Sequence, residues 1–178
     1  MKYLKDRKNE LIREYKKNEC KLLKIFENDK QKERYLSDLA ETIKHILEEY
    51  SRVKEDTITL QKIPLLYGLL SIALEGGIKL YFISKQFEYF LEMDPSKRTL
   101  GNLKKKMSKD ILNEIGEKLE YLIFVRNHFV HFPLYYTSFY NDEEIFLDVI
   151  LFFVKKSGFS DFIPSELSRF RGDSYGQK

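Results

Sequence analysis

Apolar residues recur every three or four positions along most of the chain, which is the spacing of amphipathic helices. This spacing predicts helices over residues 3–28 and 32–54, separated by a short polar turn at 28–30. A longer and more apolar run covers 64–93, with Pro64 suited to the first turn of a helix and Asp94-Pro95 as its end.

Two further helices are predicted over 108–131 and 141–156. Ser108 and Asn141 are their expected N-caps, because a short polar side chain accepts a hydrogen bond from the first free backbone N–H groups. Pro133 should end the first of these helices, and Gly158 should cap the second after Lys155 and Lys156. Residues 142–156 are apolar nearly all round, which indicates a buried helix or a subunit interface.

The predicted fold is all-α, an antiparallel bundle of about five helices in a single domain over 1–178. Short connections favour antiparallel neighbours in such bundles. Residues 159–178 are expected to form a loosely held tail. Gly68, Gly76 and Gly77 lie inside the long third helix, where each costs about 1 kcal/mol of helix propensity. Either the close approach of another backbone or a kink should account for them.

Composition excludes several classes of protein. Hydrophobic residues make up 43% and charged residues 33% of the 178 positions, which is unlike a disordered or collagen-like chain. The single Cys20 excludes an intrachain disulfide framework and a multi-cysteine zinc site. The charged first ten residues are unlike a secretory signal, and the most apolar window, 145–154, is too short to span a bilayer. We therefore expect a cytoplasmic protein without membrane contact.

Positive charge is concentrated in two places. The net charge is +3 overall, but residues 1–34 carry +5 and residues 97–109 carry +6. The second cluster is a candidate RNA-binding patch, because a local excess of cations attracts a polyanion. A solvated loop and helix start is the alternative interpretation. The basic patch consists of Lys97, Arg98, Lys104, Lys105, Lys106 and Lys109.

Polar residues cluster at the end of the fourth predicted helix, within an otherwise apolar segment. Arg126, Asn127, His128 and His131 lie within six residues. Polar groups in such a segment usually meet each other, a partner chain or a ligand, because leaving them unpaired costs free energy. Asn127 and His131 are four residues apart and share a helix face. Alternatively, Arg126 pairs with Glu75 or Glu120, and His131 caps the helix end.

This segment resembles the active motif of the HEPN family (higher eukaryotes and prokaryotes nucleotide-binding domain), in its R-N-x-x-x-H form at residues 126–131. The ALEGGIKLYF segment at 73–82 looks like the family's central helix, and the LGNLKKKM stretch leads into the motif helix as it does in the family. The resemblance covers about residues 60–155. It implies a HEPN-like core over 56–158, preceded by an N-terminal helical extension over 1–55.

The resemblance implies a metal-independent endoribonuclease that cleaves RNA by 2′-hydroxyl transesterification, in a toxin–antitoxin or anti-phage role. Arg126 would hold the scissile phosphate, His131 would act as general base or acid, and Asn127 would orient the phosphate or His131. His128 and Glu75 are supporting candidates. No cofactor or metal is expected, and the expected partners are RNA, a second copy with its motif near the interface, and an antitoxin protein. The alternative is a non-catalytic HEPN dimer that binds nucleotide, RNA or a protein partner.

Overall fold

The computed structural model describes residues 2–55, 62–94, 97–131 and 139–167, and their fold is all-α as predicted. This part of the chain contains seven α-helices, and a 3-10 turn at Ser160–Phe162 follows the last of them. The helices are α1 (Lys2–Phe26), α2 (Asp29–Glu55), α3 (Ile63–Lys85), α4 (Phe87–Glu92), α5 (Leu100–Lys104), α6 (Lys109–His131) and α7 (Phe139–Lys156).

Helix α3 lies at the centre of the core, covered mainly by α2 and α7. Helix α2 therefore belongs to the core, although the sequence suggested that residues 1–55 form an extension. Helix α7 is buried within the chain, as one of the two sequence interpretations required. It runs antiparallel to α6, because Glu114 pairs with Lys156 at 3.1 Å and Lys118 with Asp148 at 2.7 Å.

By length and composition alone, α3 is also the one helix in the described ranges that could cross a bilayer. The core helix of a soluble protein has the same properties.

The predicted third helix is interrupted, so the prediction of one helix over 64–93 is wrong. Helix α3 ends at Lys85, and Gln86 leaves the helical conformation with φ −141° and ψ 45° before α4 begins. No glycine or proline marks this position. The change of direction brings Phe87 against Phe26 of α1, with ring centroids 3.7 Å apart. This aromatic contact joins residues distant in sequence, so periodicity could not have shown it.

Several predicted helix ends are confirmed. Pro64 lies in the first turn of α3, and the N–H of Ile111 donates to Oγ of Ser108 at 3.5 Å, at the start of α6. Gly158 follows α7 with φ 92°, and the N–H of Phe159 donates to the carbonyl of Val154, which closes a Schellman-type end.

Three other expectations are wrong. Helix α7 begins at Phe139, so Asn141 lies in its first turn rather than at its N-cap. The segment between the third and fourth predicted helices, which was expected to be a loop, contains the short helix α5, held by the buried side chains of Leu100 and Leu103. Residues 159–167 are not loosely held, because Ile163 and Leu167 are buried against the core. The rest of the predicted tail lies outside the described residues.

Two adjacent carboxylates enter the core in the first turns of α7. The residue exposure of Asp142 is 2% and that of Glu143 is 4%. Burying an unpaired carboxylate is very unfavourable, so each must be supplied with hydrogen bonds. The hydroxyls of Tyr67 and Tyr121 donate to Asp142, whereas the hydroxyl of Tyr50 and the ammonium of Lys54 donate to Glu143. We call these six residues the carboxylate cluster.

The glycines of α3 differ in what surrounds them. A Cβ at Gly77 would lie 3.5 Å from the carbonyl oxygen of Ile150, so α7 approaches α3 closely there. A Cβ at Gly76 would lie 3.0 Å from the side chain of Ile43 in α2. A Cβ at Gly68 would have nothing within 4 Å. A Cβ at Gly76 would therefore press on the Ile43 side chain, whereas one at Gly77 would make ordinary contact with the backbone of α7.

We expect Gly77→Leu to lower the free energy of unfolding by about 1–3 kcal/mol or more, because the added side chain would overlap the α7 backbone. Gly68→Leu is the matched control and should be neutral or stabilising, since leucine has the better helix propensity and open space around it. Urea unfolding followed by circular dichroism measures both. Equal losses in the two variants would contradict the proposed close approach.

Candidate functional site

The motif lies in the last turns of α6, on the side that does not face the core. Leu119, Leu122 and Val125 are buried and fix the rotation of this helix. Arg126 is then half-buried at the edge of the helix, whereas Asn127 and His128 are exposed. His131 is the last residue of α6, and its side chain lies outside the part of the chain that the structure describes.

Arg126 is held by a carboxylate of the central helix. Its guanidinium lies 3.8 Å from Oε2 of Glu75, and the Oδ1 of Asn127 is 3.5 Å from its Nη1. Glu75 is also bound by the ammonium of Lys79 at 2.7 Å. Two cations therefore share one carboxylate, so the group keeps a net positive charge. Of the two alternative partners that the sequence offered to Arg126, the structure selects Glu75.

Glu120, the other alternative, is occupied by Lys104, whose ammonium lies 2.6 Å from Oε2. The hydrogen bond from Lys104 lowers the pKa of the Glu120 carboxyl, with a smaller contribution from the charge itself. Glu120 and Asn127 are seven residues apart and share a face of α6. Lys104 therefore reaches the same face as the motif, although it precedes α6 in the chain.

An exposed aromatic ring lies on the motif face and was missed by the sequence argument. The residue exposure of Phe124 is 68%, and its ring stacks with that of His128 at a centroid distance of 6.1 Å. Phe124 is three residues before Asn127 and seven before His131, so helical spacing alone could have placed it beside them. One turn before Glu75 on α3, Ile72 is also exposed, at 58%.

Tyr121 links the motif helix to the carboxylate cluster. Its hydroxyl donates to Oδ1 of Asp142 at 2.6 Å, and this hydrogen bond, with burial and the negative charge of Asp142, raises the pKa of Tyr121 to about 12. The bond joins the start of α7 to α6 five residues before Arg126. It thus contributes to holding the motif end of α6 in place.

The basic patch is divided by the fold. The side chain of Arg98 is largely buried, with 12% of it exposed. It pairs with Glu19 of α1 and lies 4.7 Å from the centre of the Phe90 ring. It also donates to the carbonyl of Leu91. Burial and pairing remove Arg98 from the predicted RNA contacts. Lys104 is committed to Glu120, and the exposed members of the patch are Lys97, Lys105, Lys106 and Lys109.

In the described ranges, no group of three or more His, Cys, Asp or Glu side chains is placed to hold a metal ion. No protein-family model matches the chain, and neither a curated protein nor a solved structure matches it. The resemblance to the HEPN family therefore stays a prediction from residues 60–155.

Tyr121→Phe should change the stability of the protein in alkaline solution. The raised pKa means that the folded protein keeps the phenol proton above pH 10, where the unfolded chain begins to lose it. The stabilisation is complete below pH 10 and is lost as the pH rises toward 12. The wild type should therefore lose stability more steeply over this interval than Tyr121→Phe.

Urea unfolding at a series of pH values measures this difference. Tyr15→Phe, at an exposed tyrosine of α1, is the control and should follow the wild type. Parallel curves for the wild type and Tyr121→Phe would contradict the assigned hydrogen bond.

Proposed function

We propose that the chain is a metal-independent endoribonuclease of the HEPN type, acting in the cytoplasm in a toxin–antitoxin or anti-phage role. The observation that carries the proposal is a half-exposed Arg126 beside an exposed Asn127, one helical turn before His131. A cation can stabilise the phosphate and an imidazole can transfer protons during phosphodiester transfer, and an amide beside them can orient the phosphate.

In this proposal, Arg126 binds the scissile phosphate through charge-assisted hydrogen bonds. The distance of 3.8 Å to Glu75 is long for a direct hydrogen bond, so the guanidinium has donors to offer a phosphate. Glu75 fixes its direction, while Lys79 offsets the charge of Glu75. Glu75 and Lys79 are thus positioning residues rather than catalytic ones.

The reaction needs a proton acceptor and a proton donor. A base removes the proton of the 2′-hydroxyl, and the 2′-oxygen attacks phosphorus. The bond from phosphorus to the 5′-oxygen breaks, and an acid protonates the leaving oxygen. His131 supplies one of these roles and the same residue of a second copy supplies the other, because histidine titrates near neutral pH. The products are a 2′,3′-cyclic phosphate and a 5′-hydroxyl end.

The partners in this proposal are RNA, a second copy of the chain and an antitoxin protein. Exposed apolar side chains accompany both halves of the Arg126–Glu75 pair, with Phe124 on α6 and Ile72 on α3. Large exposed apolar groups beside a polar site are typical of protein interfaces. They support a homodimer with the motif near its interface.

RNA cleavage in EDTA tests the proposed activity. We expect the wild type to cut single-stranded RNA, and His131→Ala to cut it at least about a hundredfold more slowly, which is the usual cost of losing a general acid or base. Arg126→Ala should show a similar loss. His45→Ala is the matched control, because His45 is an exposed histidine whose ring pairs with Glu48 of its own helix, α2.

The 2′-O-methyl form of the same RNA is the substrate control, since it lacks the attacking hydroxyl and should stay intact. Equal cleavage by the wild type and His131→Ala would exclude His131 from the reaction. RNA binding by the wild type without any cleavage would favour the non-catalytic alternative.

Phe124→Glu should convert the dimer into monomers, because it places a charge in the proposed apolar interface. Sedimentation velocity at several protein concentrations measures the change. Tyr15→Glu is the matched control, since Tyr15 is an aromatic residue of α1 with 59% exposure, and it should leave the dimer intact. A wild type that remains monomeric at high concentration would refute the proposed interface.

A further inference from the structure

Tyr89 of α4 separates two open cavities on the surface that carries the basic patch. One cavity, of about 780 Å³, is lined by Phe26 and Phe87, and the other, of about 380 Å³, by Asn102. Tyr89 and Lys106 line both cavities. The ammonium of Lys106 lies 5.3 Å from the centre of the Tyr89 ring, and Tyr89 is 37% exposed. We call Tyr89, Lys106 and these cavities the Tyr89 saddle.

Lysines on both sides of the saddle are available to a ligand. Lys32 and Lys85 line the larger cavity, and Lys97 and Lys105 line the smaller one. Within the described residues none of these four, nor Lys106, lies within 4 Å of a carboxylate, whereas Lys54, Lys79 and Lys104 are all paired. The same walls also hold four carboxylates, those of Glu27, Glu88, Glu92 and Asp94. The lysines therefore provide local phosphate contacts rather than a broad positive field.

From this arrangement we infer that the Tyr89 saddle binds single-stranded RNA, with one base stacked on Tyr89 and its flanking phosphates held by Lys106, Lys97 and Lys105. Aromatic rings among cations are the common way to hold a single strand, because every base has a face that stacks. A base on Tyr89 displaces the ammonium of Lys106 from the ring and leaves it beside the adjoining phosphate. The inference rests on the proposed ribonuclease function and specifies its substrate.

The chain connects the saddle to the motif. Lys104, next to Lys105, binds Glu120, and Glu120 is six residues before Arg126 on α6. At 1.5 Å per residue, Arg126 lies only about 9 Å farther along the helix axis. In this proposal, a strand that leaves the saddle runs past Lys104 toward Asn127 and Arg126.

This path defines the substrate class. Bases within a duplex are stacked on each other, so a base pair cannot lie on Tyr89 without being opened. A dinucleotide is too short to occupy both the saddle and the motif. The preferred substrate is thus an unpaired segment of several nucleotides, and the saddle contributes to affinity rather than to the chemical step.

Fluorescence anisotropy in EDTA tests the saddle with a labelled 12-nucleotide 2′-O-methyl oligouridine, which the proposed reaction cannot cut. Tyr89→Ala should weaken binding about tenfold or more, while Tyr89→Phe, which keeps the ring, should bind like the wild type. Tyr15→Ala is the matched control at another exposed tyrosine and should have no effect. Circular dichroism checks that each variant is folded.

Salt dependence tests the phosphate contacts separately. Lys106→Gln should reduce the slope of log affinity against log salt by about 0.7, the value for one phosphate contact on a single strand. Lys5→Gln, at an exposed lysine of α1, should leave the slope unchanged.

Equal affinity of the wild type and Tyr89→Ala would overturn the saddle, as would a duplex of the same length that binds as tightly as the single strand. The cleavage assay distinguishes failure of the Tyr89 saddle from failure of the proposed nuclease function. Tyr89-dependent binding without cleavage supports the saddle and refutes the nuclease. Cleavage that Tyr89→Ala leaves unchanged at low RNA concentration supports the nuclease and refutes the saddle.

Discussion

The pairing of two buried carboxylates with their donors fixes the relative positions of four helices. Asp142 and Glu143 are adjacent at the start of α7, and both are nearly inaccessible to solvent. Their donors come from α2, α3 and α6, so a shift of any of these helices would leave a buried charge short of a hydrogen bond. Such a loss typically costs several kcal/mol, more than most apolar contacts in the core. The motif end of α6 receives its position partly through this arrangement, by way of Tyr121.

Sequence patterns predicted features that depend on neighbouring residues and missed those that depend on distant ones. Pro64, Ser108 and Gly158 act within their own helix turn, and each was placed correctly. The break at Gln86 accompanies a stack between Phe87 and Phe26, sixty-one positions apart in the printed sequence. Periodicity likewise could not show that Asp142 and Glu143 point inward, because acidic residues in a first helical turn are ordinarily favourable at the surface.

The candidate site combines a predicted part with one that only the fold reveals. The grouping of Arg126, Asn127 and His131 follows from their spacing on one helix. The sequence offered Glu75 and Glu120 as alternative partners of Arg126, and the distance of 3.8 Å between Glu75 and Arg126 decides between them. Arg98 shows the limit of reading charge from sequence. In the sequence, all six residues of the basic patch look alike, but the Arg98 side chain is buried by its contacts with Glu19 and Phe90.

Helix α1 differs from the other long helices in how its order is maintained. Residues 5–18 are exposed along their whole length, and ion pairs such as Arg7–Glu10 are local. A helical segment of this length is only marginally stable in water without support from a core. Its amide protons should therefore exchange with solvent through opening of α1 alone, while those of α3 await global unfolding. A molecule that bound this segment would also have to meet the entropic cost of keeping it helical.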